Sequence, residues 1–292
     1  MGIWRRNTSH ARQYLPGLLL IVTAAAACGG SPVGPSAADR GSTSFTVMTF
    51  NIQHGLDFNG RYNLQGDIDT IARVQPDLVA LQEVARNHPS YRCEDQPQLI
   101  AKGLQQATGR SWRAWYQQQS LTPDRSCQGN GTGDGPETEG LAFFAPASIE
   151  QIGSQPLVDT AVAMAARSGA TAPIVTTHLA SGSTQLGNRT TQVSQLLSWA
   201  PGVGVPRIVL GDFNARPDAP EIQTVLTQYR DAWADALTAG TAAGVMSGDT
   251  RVRGGRLDYV LYAGDGLTVL SAEIVDTLAS DHRPVVVRFG RK

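Results

Sequence analysis

The stretch "PRIVLGDFNARPD", Pro206–Asp218, decides how the rest of the chain is read. An apolar run climbs through Ile208, Val209 and Leu210, then breaks into a glycine, an aspartate, an aromatic and an asparagine. The run predicts a strand that ends by presenting a carboxylate and a carboxamide two residues apart. In an extended chain, residues i and i+2 point to the same side, which would place Asp212 and Asn214 on one face. Gly211 beside them permits close approach or an unusual backbone angle. Such a pair can bind a hard metal ion or hold a water. It can equally be a turn, for which Asp and Asn are common formers.

Other apolar runs end the same way. "TFNIQ" delivers Asn51, "ALQEV" Glu83, "VTTHLA" His178, "RLDYVLY" Asp258 and "ASDHRP" Asp281 and His282, while "TEGLAFF" begins at Glu139. One buried polar residue is ordinarily just hydrogen-bonded; seven segments of this form, with "LGDFN" among them, point to a shared site. Its carboxylates and amides are hard oxygen donors suited to Mg²⁺ or Mn²⁺, with no sulfur among them. Its histidines can move protons near neutral pH. The sequence has no P-loop and no serine nucleophile elbow. Hard-metal ligands, acid–base histidines and no covalent nucleophile suggest water attacking a phosphate ester.

Around these segments the chain alternates strands and helices. "FTVMTFNIQ" reads as a strand, "LQGDIDTIARVQ" as a helix ended by Pro76, "DLVALQEV" as a buried strand and "PQLIAKGLQQATG" as a helix closed by Gly109. Residues 122–138, rich in Gly, Asp and Thr, are expected to form a long loop. "NRTTQVSQLLSWA" and "APEIQTVLTQY" read as helices, and "LTVLSAEIV" and "RPVVVRF" as closing strands. No fixed-period repeat or Pro/Gly cluster divides residues 44–290, which are read as one domain. Asp57, Asp67, Asp69 and Glu94 read as solvated charges. His54, three residues after Asn51, reads as turn packing, with a place bordering the cleft as the alternative. Trp112, Trp115 and Tyr116 read as a half-buried aromatic strand, with a substrate wall as the alternative.

The N-terminus differs in kind. Arg5, Arg6 and Arg12 precede "LPGLLLIVTAAAAC", an apolar run too short for a comfortable membrane span and ending in small residues. Residues 1–27 therefore read as an export signal of the bacterial lipoprotein type, with Cys28 the lipidated first residue and residues 28–43 a flexible Pro/Gly-rich tether. Ala25 stands where such signals usually carry Leu, so ordinary cleavage near Ala27 is the alternative. The mature chain would carry 21 Lys+Arg against 25 Asp+Glu, three Arg having left the total of 24. A polybasic nucleic-acid coat is thereby excluded, though a local basic groove is not. Cys93 and Cys127 flank the Gly-rich stretch and, in an exported protein, are expected to pair; two unpaired thiols are the alternative.

The motifs "GDFN" (211–214) and "SDHRPV" (280–285), supported in order by "LQEV" and "THLA", resemble the endonuclease/exonuclease/phosphatase superfamily over residues 44–290. The resemblance implies a DNase-I-like four-layer α/β sandwich, two packed mainly antiparallel sheets flanked by helices, with the site at one edge. It implies metal binding by Glu83, with Asn51 beside it binding metal or phosphate, and Asp281 as a further metal-side carboxylate. Asp212 matches the residue that orients or deprotonates the attacking water, and Asn214 the one that holds phosphate or that water. His282 matches a phosphate contact or base, buttressed by Asp258, and His178 a stabiliser of charge on the phosphate. Glu139 matches a glutamate that partners His178 in the DNase-like branch. No tyrosine precedes its strand, unlike in the repair nucleases. Arg189, after "THLA", is a candidate phosphate contact. The expectation is an exported, lipid-anchored monomer that hydrolyses a phosphate ester with Mg²⁺ or Mn²⁺, as a DNase-like nuclease or phosphodiesterase. A phospholipid phosphodiesterase or inositol-phosphatase-like enzyme is the alternative, and an inactive binding module the alternative of another class.

Overall fold

Side-chain parity along the strands organises the molecule. In β1 (Ser44–Asn51) Phe45 and Val47 enter one buried cluster while Met48 and Phe50 enter another. A strand buried on both faces must lie between two layers. The computed structural model describes residues 44–127 and 133–291, with the side chains of Pro123 and Asp124 left out. The signal segment 1–27, Cys28 and the tether to residue 43 lie outside the described residues.

β1 is joined to β2 (Leu78–Arg86) through α1 (Leu64–Val74). α2 (Gln96–Thr108) leads to a hairpin of β3 (Arg113–Cys127) and β4 (Gly135–Ala145). β5 (Ile149–Pro156), β6 (Val162–Ser168) and β7 (Ile174–His178) follow, then α3 (Leu186–Trp199) and β8 (Arg207–Asp212). α4 (Pro220–Leu226), β9 (Arg230–Asp231), α5 (Ala232–Ala239) and β10 (Ala242–Gly244) precede the closing strands β11 (Asp258–Ala263), β12 (Leu267–Ile274) and β13 (Val285–Arg291).

One sheet has the order β10-β12-β13-β1-β2-β4-β3 and the other β5-β6-β7-β8-β11-β9. Both are mixed: β1/β2, β10/β12 and β7/β8 run parallel and the other pairs antiparallel. Phe45, Leu78, Phe143, Ile174, Ile208 and Val260 fill the space between the sheets. Ile68, Ile71, Ile100 and Leu104 pack α1 and α2 on the outside of the first sheet; Val193, Leu196, Ile222 and Val225 pack α3 and α4 on the outside of the second. The result is the four-layer α/β sandwich. α5 packs at the core's open end through Trp233 and Ala236.

Three local expectations change, and one is Asp57, which is buried and accepts from the N–H groups of Asn59 and Arg61 and from the Arg61 guanidinium. The expected loop 122–138 is mostly paired strand where it is described: Thr122 pairs with Glu137 and Cys127 with Gly135. Residues 128–132 of that expectation lie outside the described residues. Asp67 is fully buried with neither carboxylate oxygen hydrogen-bonded, not a solvated helix charge. Burial lifts its pKa well above the carboxylate range.

Candidate active site

The inter-sheet face turns polar at one end of every central strand. On β1, Phe45 and Val47 are followed at the same parity by Thr49 and Asn51. On β7, Ile174 is followed by Thr176 and His178; on β8, Ile208 and Leu210 by Asp212; β11 begins at Asp258 before Val260 and Tyr262. Register then sets these residues side by side, His178 against Asp212 and Asp212 against Asp258. Below them Gln82 joins the sheets, accepting from Thr49 (3.2 Å) and donating to the Thr176 hydroxyl (3.2 Å).

Glu83 lies one residue beyond Gln82, so simple alternation would turn it out of the cleft. A bulge between Leu81 and Val84 and a left-handed backbone at Glu83 (φ 55°) correct this. Bulges re-aim side chains in this way, and a strained non-glycine residue of this kind is found where surrounding structure holds it. Asn51 Nδ2 donates to Glu83 Oε1 (2.8 Å) and to Asp212 Oδ2 (3.1 Å), bridging the two sheets.

"LGDFN" serves as both turn and site. Asp212 Oδ1 accepts from the Asn214 backbone N–H (2.8 Å), the hydrogen bond of an Asx turn. Oδ2 faces the cleft, 3.8 Å from His178 Nε2 and 3.7 Å from His282 Nε2. The strand ends at Asp212 and Asn214 is left-handed (φ 49°), so the two residues are not related by strand alternation. Asn214 Nδ2 donates to the Leu179 carbonyl (2.9 Å), tying the turn to the His178 loop. Gly211 permits the approach: at φ 139°, a Cβ there would lie 2.0 Å from the Thr177 carbonyl oxygen.

"SDH" docks by its serine. Ser280 donates to the Asn51 carbonyl (2.8 Å) and accepts from the His282 N–H (3.2 Å). His282 Nδ1 then meets Asp258 Oδ2 at 2.8 Å. Burial pulls the imidazole pKa down, but Asp258 and Asp212 outweigh it and push it up to about 10. The pair is an imidazolium beside a carboxylate, and the cation faces Asp212.

The remaining expected residues divide. Glu139 meets His54 Nε2 at 2.9 Å and lies within electrostatic reach of His178. His178 Nε2 faces Glu83 (3.9 Å) and Asp212 (3.8 Å). Arg189 is buried, donating to Glu221 (2.7 Å) and to the carbonyls of Ala180 and Gly182. It braces the loop after His178, and these partners hold the guanidinium expected to contact phosphate. Asp281 pairs with Arg251 (3.0 Å) and its charge acts on His282. Cys93 and Cys127 form a disulfide. Trp115 stacks on Phe143 and packs against the inter-sheet core, as the aromatic-strand reading expects.

His54, read from the sequence as turn packing, borders the cleft instead. Burial lowers its pKa, but the hydrogen bond to Glu139 and the charge of Glu83 outweigh that and leave it raised. Burial conversely raises Glu139, and His54 brings it below the usual carboxylate range. The available signal was position: His54 follows Asn51 by three residues in "NIQHG".

The donor set suits a hard divalent ion. Glu83, Glu139, Asp212, Asp258 and Asp281 outnumber their cationic partners His54, His282 and Arg251. Asp258 Oδ1 is buried without a hydrogen-bond partner. Oxygen ligands in an excess of negative charge favour a cation of the Mg²⁺ kind over softer metals.

Residues 48–282 match the profile of the Endonuclease/Exonuclease/phosphatase family. The chain belongs to that family. Family members are phosphoesterases that depend on divalent metal, so this chain is a phosphoric ester hydrolase by membership. A sequence comparison with curated proteins finds no match. Among solved structures, the endonuclease/exonuclease/phosphatase from Beutenbergia cavernae is similar at 21% identity and TM-score 0.65, over 85% of this chain and 72% of that one. The human Nocturnin catalytic domain with bound sulfate anion is similar at 22% identity and TM-score 0.61, over 86% and 96%. ANGEL2, a 2',3'-cyclic phosphatase in complex with adenosine-2',3'-vanadate, is similar at 15% identity and TM-score 0.56, over 85% and 96%. At these identities the likeness is one of fold.

Proposed function

We propose that this chain is an exported, Mg²⁺- or Mn²⁺-dependent phosphodiesterase that hydrolyses its substrate by direct attack of water. The observation that carries the reading is the row His178–Asp212–Asp258, joined across the sheets by Asn51 to Glu83 and closed by His282. Glu83, with Asn51 beside it, would hold the ion, which supplies Lewis-acid charge at the phosphate and a more acidic water. Asp212 Oδ2 orients the water and takes its proton. The His282 cation and His178 stabilise negative charge on the phosphate oxygens, and Asp258 keeps His282 charged and in place. Asn214 holds the Asp212 turn against the His178 loop.

The DNase-like reading rested on Glu139 partnering His178; Glu139 makes its hydrogen bond to His54, with His178 within electrostatic reach, which does not choose a branch. Substrate class therefore rests on the family chemistry alone, with nucleic acid, phospholipid and small phosphodiesters all within it. The basic and apolar N-terminus supports export, and Cys28 with residues 29–43 supports a lipid anchor. The Cys93–Cys127 disulfide accords with an oxidising compartment.

The purified protein is to be assayed on bis(p-nitrophenyl) phosphate, DNA, RNA and sphingomyelin vesicles, with and without chelator. Turnover that EDTA abolishes and Mg²⁺ or Mn²⁺ restores is the expected result. Full turnover by metal-free protein overturns the reading, and absence of turnover on every substrate favours the inactive binding module.

A further inference from the structure

Beside the strand ends stands a group of side chains that the proposed chemistry does not use. His54 lies between two carboxylates, with Nε2 2.9 Å from Glu139 Oε2 and Nδ1 3.4 Å from Glu83 Oε2. Glu83 is thus addressed at both oxygens, Oε1 by the Asn51 amide and Oε2 by the imidazole. The ring is held in turn. Tyr91 stacks on it at 5.3 Å and 16°, and on His88 at 4.0 Å and 29°. His88 Nδ1 accepts from the Ser90 N–H (3.1 Å), so its Nε2 carries the proton toward Glu137 (3.3 Å). Glu137 and Glu139 are alternate residues of β4 and share a face, so one strand anchors both histidines around Tyr91. The Cys93–Cys127 bond ties the Tyr91 loop to the hairpin that carries both glutamates.

The backbone of His54 is fixed as firmly as its ring. Gln96, fully buried, donates to the His54 carbonyl (2.6 Å) and accepts from the Ala85 N–H (2.7 Å). The turn is thereby clamped to β2 two residues beyond Glu83. His54 itself is left-handed (φ 57°). A surface turn that merely packed a histidine would need neither this clamp nor a ring aimed at two carboxylates.

We infer that His54 is the positioning residue of Glu83, holding Oε2 as Asn51 holds Oε1, and that it thereby sets the divalent-ion affinity of the site. This rests on the reading of Glu83 as metal ligand. A glutamate has three side-chain torsions, and a carboxylate free to rotate must be ordered before it can bind an ion. Partners that orient metal ligands are typically worth about 10–100-fold in affinity.

The test is Mn²⁺ binding to the full-length protein by calorimetry, with folding followed by circular dichroism. His54→Ala is expected to weaken binding by about 10-fold or more. His54→Asn keeps an N–H donor at the Nδ1 position and suits a left-handed backbone, so it should retain most of the affinity. His54→Gln puts its amide near the Nε2 position, keeps Glu139 and loses Glu83; it should bind as weakly as the alanine variant. Tyr91→Phe preserves the stack and should bind as wild type. If wild type binds Mn²⁺ and His54→Ala binds equally well, His54 is only turn packing. If His54→Asn and His54→Gln are weakened alike, the Glu83 contact is not the cause and the inference fails. If wild type binds no Mn²⁺, the metal reading fails with it.

Discussion

Two histidine–carboxylate pairs flank the strand ends, His282–Asp258 at 2.8 Å and His54–Glu139 at 2.9 Å, and each histidine also faces a second acid. They differ in depth. Side chains of the first pair are 7% and 1% exposed; those of the second are 20% and 32% exposed. In the sealed pair, water cannot screen the charges or replace a lost partner, so removing one group strands the other. In the half-open pair, solvent can do both, so its worth lies in orientation more than in stability. Similar distances therefore imply different duties: the deep pair fixes a permanent cation beside Asp212, and the shallow pair aims Glu83.

The largest effect should come from breaking the deep pair. Asp258→Asn leaves His282 without its counter-charge and should cost about 3 kcal/mol at neutral pH. The sign with pH follows from a folded-state pKa of His282 near 10 against an ordinary 6.5. His282's share of the pair's stability is fully present below pH 6.5 and is lost as pH rises through about 10, while Asp258, whose pKa burial raises, adds a loss that begins at its ordinary 3.8. Denaturant melts of chelated wild type and Asp258→Asn should differ most at pH 6 and converge toward pH 10. A constant gap across that range breaks the comparison.

The next effect is expected from Asp67, a buried acid with no hydrogen-bond partner among the described residues. Its raised folded pKa means that the wild type loses stability as pH climbs above its ordinary 3.8. Asp67→Asn should therefore melt at a higher denaturant concentration than wild type at pH 7. The gain should vanish below pH 3.8. Equal melting of the two proteins at pH 7 would mean that the carboxyl finds a partner. The smallest effect is Glu139→Gln in the shallow pair, at most about 1 kcal/mol of stability.

The same difference in depth governs what could be read from the sequence. The deep strand ends follow from parity: an apolar run of fixed alternation ends in Asn51, His178 or Asp212, and each stands in the cleft because its neighbours two residues back stand in the core. "SDHRPV" was legible because Ser280, His282 and the strand after it all have fixed partners. On the shallow side Glu83 and Glu139 were legible from "ALQEV" and "TEGLAFF", but their geometry was not: Glu83 reaches the cleft through a bulge, and His54, which joins them, through a left-handed turn. Neither the bulge nor the turn has a residue pattern of its own. Arg189 misled because its partner Glu221 is 32 residues away, where no local spacing shows it. β5, an edge strand exposed along much of its length, and the eight-residue α5 carry too little apolar periodicity to be seen.

The account turns on Asp212, whose two oxygens do separate things. Asp212→Asn keeps a carbonyl to accept from the Asn214 N–H, so the turn and the fold should survive, and it removes the charge at Oδ2 that faces His178 and His282. Steady-state kinetics on bis(p-nitrophenyl) phosphate, with folding verified by circular dichroism, is the direct measurement. Loss of the general base should lower kcat by about 10²–10⁴-fold with little change in KM. A folded Asp212→Asn protein that turns over like wild type would contradict the claim and leave "LGDFN" as a turn alone.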